Sequence, residues 1–168
     1  MPQDPVYLDT SAFYALLDRS DVYHHQAKSL WPILLEGNVH LFTSNYVVSE
    51  TISLLQYRLG FDAASIWYKD ILGILDIIYV DPNIHRQAYE LWLSLGRRKY
   101  SLVDCISYIV MLQNKIEKVF CFKRFYSDQG FKLVASFDPA SSFYPGKEEY
   151  RNPASQRNRF EIRGNEEG

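Results

Sequence analysis

Short apolar runs that read as strands alternate along this chain with stretches whose apolar residues recur at helical spacing. The run Val6-Tyr7-Leu8 ends at Asp9 and reads as a strand, and the pattern from Ser11 to Leu17 is helical. A second helix is predicted from after Asp21 through Ala27, Leu30 and Leu34, stopped by Gly37-Asn38 as αL-tolerant residues. "VHLFTS" at 39–44 reads as the next strand. Val48, Ile52, Leu55 and Leu59 then mark a helix over 45–59 that Gly60 ends. The remaining pattern predicts a helix at 62–74, a strand "ILDIIYV" at 74–80, and a helix from Pro82 to about Arg98. Pro82 suits a first helical turn, where its missing N–H is no loss. A long helix at 102–116, a strand "KVFCF" at 118–122, a short helical turn and a strand near "KLVAS" complete the body.

Strands alternating with helices imply an α/β fold with a parallel sheet covered on both faces. Right-handed crossovers place the carboxyl ends of the strands along one edge, where such folds carry their sites. The regular pattern stops near Asp138. Residues 139–168, rich in Pro, Ser, Asn and balanced charge, read as a polar, flexible tail on a single domain of residues 1–138.

Composition narrows the picture. With 168 residues, 47% apolar and 15% aromatic, the chain is expected to build one packed core. The net charge of −2 gives no overall basic footprint, so any nucleic-acid partner must be met by a local patch or a metal. Cys105 and Cys121 form no ligand pair and read as reduced core residues. The opening "MPQDPVYLD" does not read as a signal peptide, and no apolar run reaches membrane-spanning length, so a cytoplasmic protein is expected.

Three acids stand where chemistry is expected. Asp9, at the end of a strand, is a helix cap or a metal ligand. Glu50 lies at the border of the apolar arc of its helix, where an exposed glutamate is the ordinary reading and the segment still allows a carboxylate aimed into a cleft. Asp104 follows Ser101 in a capping-box pattern, and the positive end of that helix also suits a carboxylate that binds a cation. Hard divalent ions such as Mg2+ take one or two carboxylates and keep waters, and such an ion can activate a water against a phosphodiester. There is no Gly-rich phosphate loop and no G-x-S-x-G elbow. Arg97, Arg98 and Lys99 are either a guide for an RNA backbone or a solvated charge run.

In "VYLDTSAFYALLD", Asp21-Val22-Tyr23-His24, "LFTSNYVVSETISLLQYRLG", "YSLVDCISYIVM" and "VFCFKRFYSDQGFKLV", the chain resembles the PIN-domain ribonucleases, of the VapC toxin kind, over roughly residues 5–135. The resemblance implies a five-stranded parallel sheet flanked by helices and a Mg2+- or Mn2+-dependent endoribonuclease. Its catalytic site would be Asp9, Glu50 and Asp104, with Asp9 and Asp104 on the metal and Glu50 as a further ligand or water orienter. It also implies an RNA substrate, a small antitoxin as partner, and homodimerisation. The resemblance has one departure: Lys123 stands where the family's "Phe-Asp-Arg-x-Phe" segment has a fourth acid. A cation there disfavours a second metal and can pair with Asp104 or contact a phosphate. Other readings are a weakened PIN module that binds RNA or protein without cleaving, and an RNA-processing PIN nuclease. A phosphotransferase or phosphatase with Asp9 as nucleophile fits less well, since Leu8, Thr10 and Ser11 hold the positions where it needs a second acid.

Overall fold

A computed structural model describes residues 4–37, 39–96 and 99–135. Asn38, Arg97, Arg98 and the segment 139–168 read above as a tail lie outside the described residues. Within them, five strands pair in parallel: β1 (Asp4–Leu8), β2 (Val39–Ser44), β3 (Asp76–Ile78), β4 (Lys118–Phe120) and β5 (Lys132–Leu133). Their order is β3-β2-β1-β4-β5. Successive side chains of a strand point to opposite faces. In β1, Val6, Tyr7 and Leu8 are all buried, so both faces of the sheet are covered at its centre, as a parallel sheet requires. The helices are α1 (Thr10–Leu17), α2 (His24–Glu36), α3 (Asn45–Leu59), α4 (Phe61–Asp70), α5 (Pro82–Leu95), α6 (Leu102–Gln113) and α7 (Arg124–Asp128).

The strand order creates the place for a site. From β1 the chain builds outward through β2 to β3, then returns past β1 to lay down β4 and β5 on its other side. The direction of winding therefore reverses between β1 and β4, and ligands of open α/β sheets bind in the crevice beyond the carboxyl ends at such a point. Asp9 is the first residue after β1, and Lys123 lies three residues beyond the end of β4.

The differences from the expected elements have local causes. β3 covers only the middle of the run at 74–80, because it is an edge strand paired on one side and is preceded by a 3-10 turn at Leu72–Ile74. α4 accordingly ends at Asp70 rather than near 74. α5 ends at Leu95, not Arg98, because Gly96 takes left-handed backbone (φ 53°) and closes the helix. α6 stops at Gln113, and Ile116 is buried beyond the helix end. β4 stops at Phe120: past it, the Phe122 N–H donates to the Ser11 hydroxyl at 2.9 Å instead of to a strand. Leu59, placed on the apolar arc of α3, is exposed, while Val47, Val48, Thr51 and Leu55 form the buried face.

Gly37 ends α2, but not through left-handed backbone: its φ is −72°. A Cβ there would lie 2.8 Å from the Ile33 carbonyl oxygen, so the position needs a missing side chain rather than an unusual φ. Gly37→Ala is expected to cost about 1–2 kcal/mol of stability, measured by urea unfolding, since the backbone at the helix end must shift.

Candidate active site

Asp9, Thr10 and Ser11, the three residues after β1, are each hydrogen-bonded to a distant part of the chain. Asp9 is fully buried and caps α1, its Oδ2 accepting from the Ser11 N–H at 3.0 Å and the Ser11 hydroxyl at 2.7 Å. The same hydroxyl accepts from Phe122 N–H, so Ser11 links the start of α1 to the segment after β4. Oδ1 of Asp9 accepts from the Tyr126 hydroxyl of α7 at 2.7 Å. Capping and site membership, which the sequence sets against each other, are therefore compatible: the cap occupies one oxygen and leaves the carboxylate charged.

Asp104 repeats this arrangement. Ser101 and Asp104 form a reciprocal capping box, with the Ser101 N–H donating to Asp104 Oδ2 at 2.9 Å and the Asp104 N–H donating to the Ser101 hydroxyl at 3.1 Å. Oδ1 is left to point elsewhere, and it receives Lys123 Nζ at 2.8 Å. The same Nζ lies 3.6 Å from Asp9 Oδ2. One ammonium thus sits between two carboxylates that come from the ends of β1 and the start of α6. The pairing of Lys123 with Asp104 expected from the sequence is present.

Glu50, from α3, is half-buried rather than exposed. Its Oε2 accepts from the Thr10 hydroxyl at 2.7 Å, and Thr10 Oγ1 in turn accepts from the Thr51 hydroxyl at 3.1 Å. Beneath the acids, the buried Tyr7 hydroxyl lies 3.0 Å from both Ser44 Oγ and Ser107 Oγ and joins β1, β2 and α6. These contacts fix the elements that carry the acids relative to one another.

Electrostatics follow from the geometry. Burial pushes the Asp9 carboxyl up, but the Lys123 charge and the bonds from Ser11 and Tyr126 outweigh it and hold it below the usual carboxylate range. Burial pushes Lys123 down, and Asp9, Asp104 and Glu50 together more than reverse this, so it stays an ammonium. For Glu50, burial wins over the pull of Lys123 and raises its pKa. Among the described residues no group of three or more His, Cys, Asp or Glu side chains closes around one point as a metal cage. The arrangement is a pair of hard oxygen donors, one each from Asp9 and Asp104, around a single cation position, with Glu50 to one side. That set suits Mg2+ or Mn2+, which bind through one or two carboxylates and keep waters.

Tyr126, Ser11 and Thr10 are the site residues that sequence reasoning missed. Thr10 and Ser11 read as helix openers and Tyr126 as one more aromatic at core spacing. The signal for Tyr126 was that it stands where the "Phe-Asp-Arg-x-Phe" pattern has its second Phe, so its hydroxyl is an addition to the pattern. Tyr126→Phe removes a hydrogen bond to a charged carboxylate and is expected to cost about 1.5 kcal/mol at neutral pH. The loss belongs to the ionised form: Asp9 has a depressed native pKa, so its contribution exists above the unfolded pKa and fades as pH falls through the native one. Unfolding at pH 7 and pH 3 should show the gap narrowing with acid. Glu50→Gln has the opposite sign. The raised native pKa means that ionised Glu50 opposes folding, so the amide, which still accepts from Thr10, should raise the melting temperature of metal-free protein at pH 7. The gain should vanish below about pH 4, where wild-type Glu50 is protonated in both states.

A five-stranded parallel α/β sheet with acids gathered beyond the end of β1 is the architecture expected of the PIN class, and comparison shows the family. The PIN domain family matches residues 6–138, and the chain belongs to it. It is similar to the 23S rRNA-specific endonuclease VapC20 of Mycobacterium tuberculosis, 32% identical over 77% of this chain and 97% of that protein. It is also similar to a VapC ribonuclease of Archaeoglobus fulgidus, 30% identical over 70% of this chain and 77% of that protein. Among solved structures, M. tuberculosis VapC20, described as a sarcin-ricin loop cleaving toxin, aligns with a TM-score of 0.68 over 76% of this chain and 96% of that one. FitAcB of Neisseria gonorrhoeae, 15% identical, shares the fold with a TM-score of 0.58, covering 77% of this chain and 96% of that one. Among the described residues no helix is long and apolar enough to cross a membrane.

Proposed function

We propose that this chain is a metal-dependent endoribonuclease that hydrolyses RNA phosphodiester bonds, acting as the toxin of a VapBC-type pair in the cytoplasm and restrained by a small antitoxin. The observation that carries the reading is the convergence of Asp9 and Asp104 on one cation position beyond β1, with Glu50 beside it. Asp9 and Asp104 would hold a Mg2+ or Mn2+ ion. The bound ion would supply a more acidic water and neutralise charge on the phosphate. Glu50, with its pKa raised by burial, is suited to accept a proton from the attacking water. Ser11, Tyr126 and Ser101 hold the carboxylates in place, so little reorganisation is needed when substrate arrives. An unpaired RNA loop, whose backbone can approach a recessed site, is the substrate shape that fits best. Names of the relatives support RNA as substrate and VapC as the type.

Lys123 favours a second reading, a PIN module that holds RNA or a protein partner without cutting, because an ammonium already satisfies the carboxylates. The two are separated by incubating the chain with stem-loop RNA and Mg2+ or Mn2+, with an EDTA control. Cleavage only with metal supports the nuclease. RNA binding with no cleavage in either metal refutes it and favours the second reading.

A further inference from the structure

We propose that Lys123 is an internal counter-ion that occupies the cation position of the site and must be displaced for a divalent ion to bind. The inference rests on the assignment of Asp9 and Asp104 as the metal-holding carboxylates. A lysine elsewhere near the acids would only tune their charge, but this one lies between them. Its Nζ is 2.8 Å from Asp104 Oδ1 and 3.6 Å from Asp9 Oδ2, so it fills the gap that a bridging ion needs. The remaining lone pairs show how little else is on offer. Asp9 Oδ2 already accepts two bonds from Ser11, Asp9 Oδ1 one from Tyr126, and Asp104 Oδ2 one from the Ser101 N–H. The oxygen of Asp104 left over from the capping box is the one that Lys123 holds.

An ammonium and a divalent ion cannot share this position, so the two compete. The lysine has the advantage of being tethered, which makes its effective concentration high. It also has an exit: its side chain is 19% exposed, and its four-carbon stem has rotatable bonds that give the ammonium a route to water. The metal-free protein is then charge-compensated and ordered, and metal affinity is set by the difference between the two cations. Tyr126 contributes to the same bias. Its hydroxyl neutralises part of the Asp9 charge from the side away from the lysine, leaving that carboxylate a poorer ligand than it would be beside a phenylalanine. The consequence is a nuclease latent at low divalent concentration, with the ion level acting as the switch.

The test is calorimetric titration of Mn2+ into the 168-residue wild-type chain, Lys123→Met and Asp9→Asn, with melting of each in EDTA. Methionine keeps the lysine side chain's shape as far as its Cε and removes the charged ammonium. Lys123→Met is expected to bind Mn2+ at least tenfold more tightly than wild type and to melt lower in EDTA, where its acids lack a counter-ion, regaining stability when Mn2+ is added. Asp9→Asn is expected to lose binding. Equal or weaker binding by Lys123→Met, with Asp9→Asn still silent, overturns the counter-ion role and leaves the site assignment standing. Unchanged binding by Asp9→Asn overturns the site assignment and the counter-ion role with it. Should Lys123→Met not fold, NMR of the wild-type lysine ammonium groups decides. A slowly exchanging ammonium signal that is present in EDTA and lost on saturation with Mg2+ supports displacement. One that persists unchanged at saturation refutes it.

Discussion

Asp9→Asn is expected to reduce RNA cleavage by roughly a hundredfold or more, the scale on which single preorganised electrostatic groups act in active sites. The fold should survive. Asparagine keeps a carbonyl oxygen for the Ser11 N–H and hydroxyl, so the cap of α1 is retained. Its amide can face the Tyr126 oxygen, which accepts as readily as it donates. Lys123 keeps its closer partner, Asp104 at 2.8 Å. What disappears is one of the two negative charges around the cation position, and with it most of the attraction for a divalent ion. Cleavage of a stem-loop RNA in Mn2+, read beside circular dichroism of both proteins, separates the two effects. A variant that is folded and cuts at the wild-type rate would remove Asp9 from the mechanism.

How far the sequence reached can be read from particular residues. The parallel sheet was legible because strand-like runs such as Val6-Tyr7-Leu8 alternate with stretches at helical spacing. Element ends were less legible. The run at 74–80 has the composition of a full strand, but only one neighbour pairs with it, and sequence pattern does not report edges. The acids were visible one at a time, each with a local reason to exist: Asp9 as cap, Asp104 in its capping box, Glu50 on a helix border. Local reasons are what a sequence displays, and they are real here, since both caps are made. The convergence on Lys123 depends on β4 returning to lie beside β1, a contact between residues more than a hundred positions apart. Tyr126 was hidden for the same reason. Its role lies wholly in where its hydroxyl ends, and neither core spacing nor its place in the "Phe-Asp-Arg-x-Phe" pattern tells which residue that hydroxyl reaches.

Asp104→Ala is expected to be the most destabilising single change at the site in the absence of metal, by about 3–5 kcal/mol, because it leaves a buried charge without its close partner. Lys123 would keep Asp9, at 3.6 Å and without a hydrogen bond to it, and the attraction of Glu50. About 1 kcal/mol of the total belongs to the capping box, since the Ser101 N–H also loses its acceptor. The double variant Asp104→Ala/Lys123→Met tells the two contributions apart. With the ammonium gone, the alanine strands no cation, and the fully buried Asp9 becomes the charge that lacks its counter-ion. The shortfall that remains should be close to the cap contribution plus whatever Asp9 loses with its counter-ion. Urea unfolding of all four proteins in EDTA closes the cycle. Effects that add to within about 0.5 kcal/mol would show that Lys123 and Asp104 act independently. A coupling of several times that size would mean that the site is built as an ion pair first, with a divalent ion as the competitor for it.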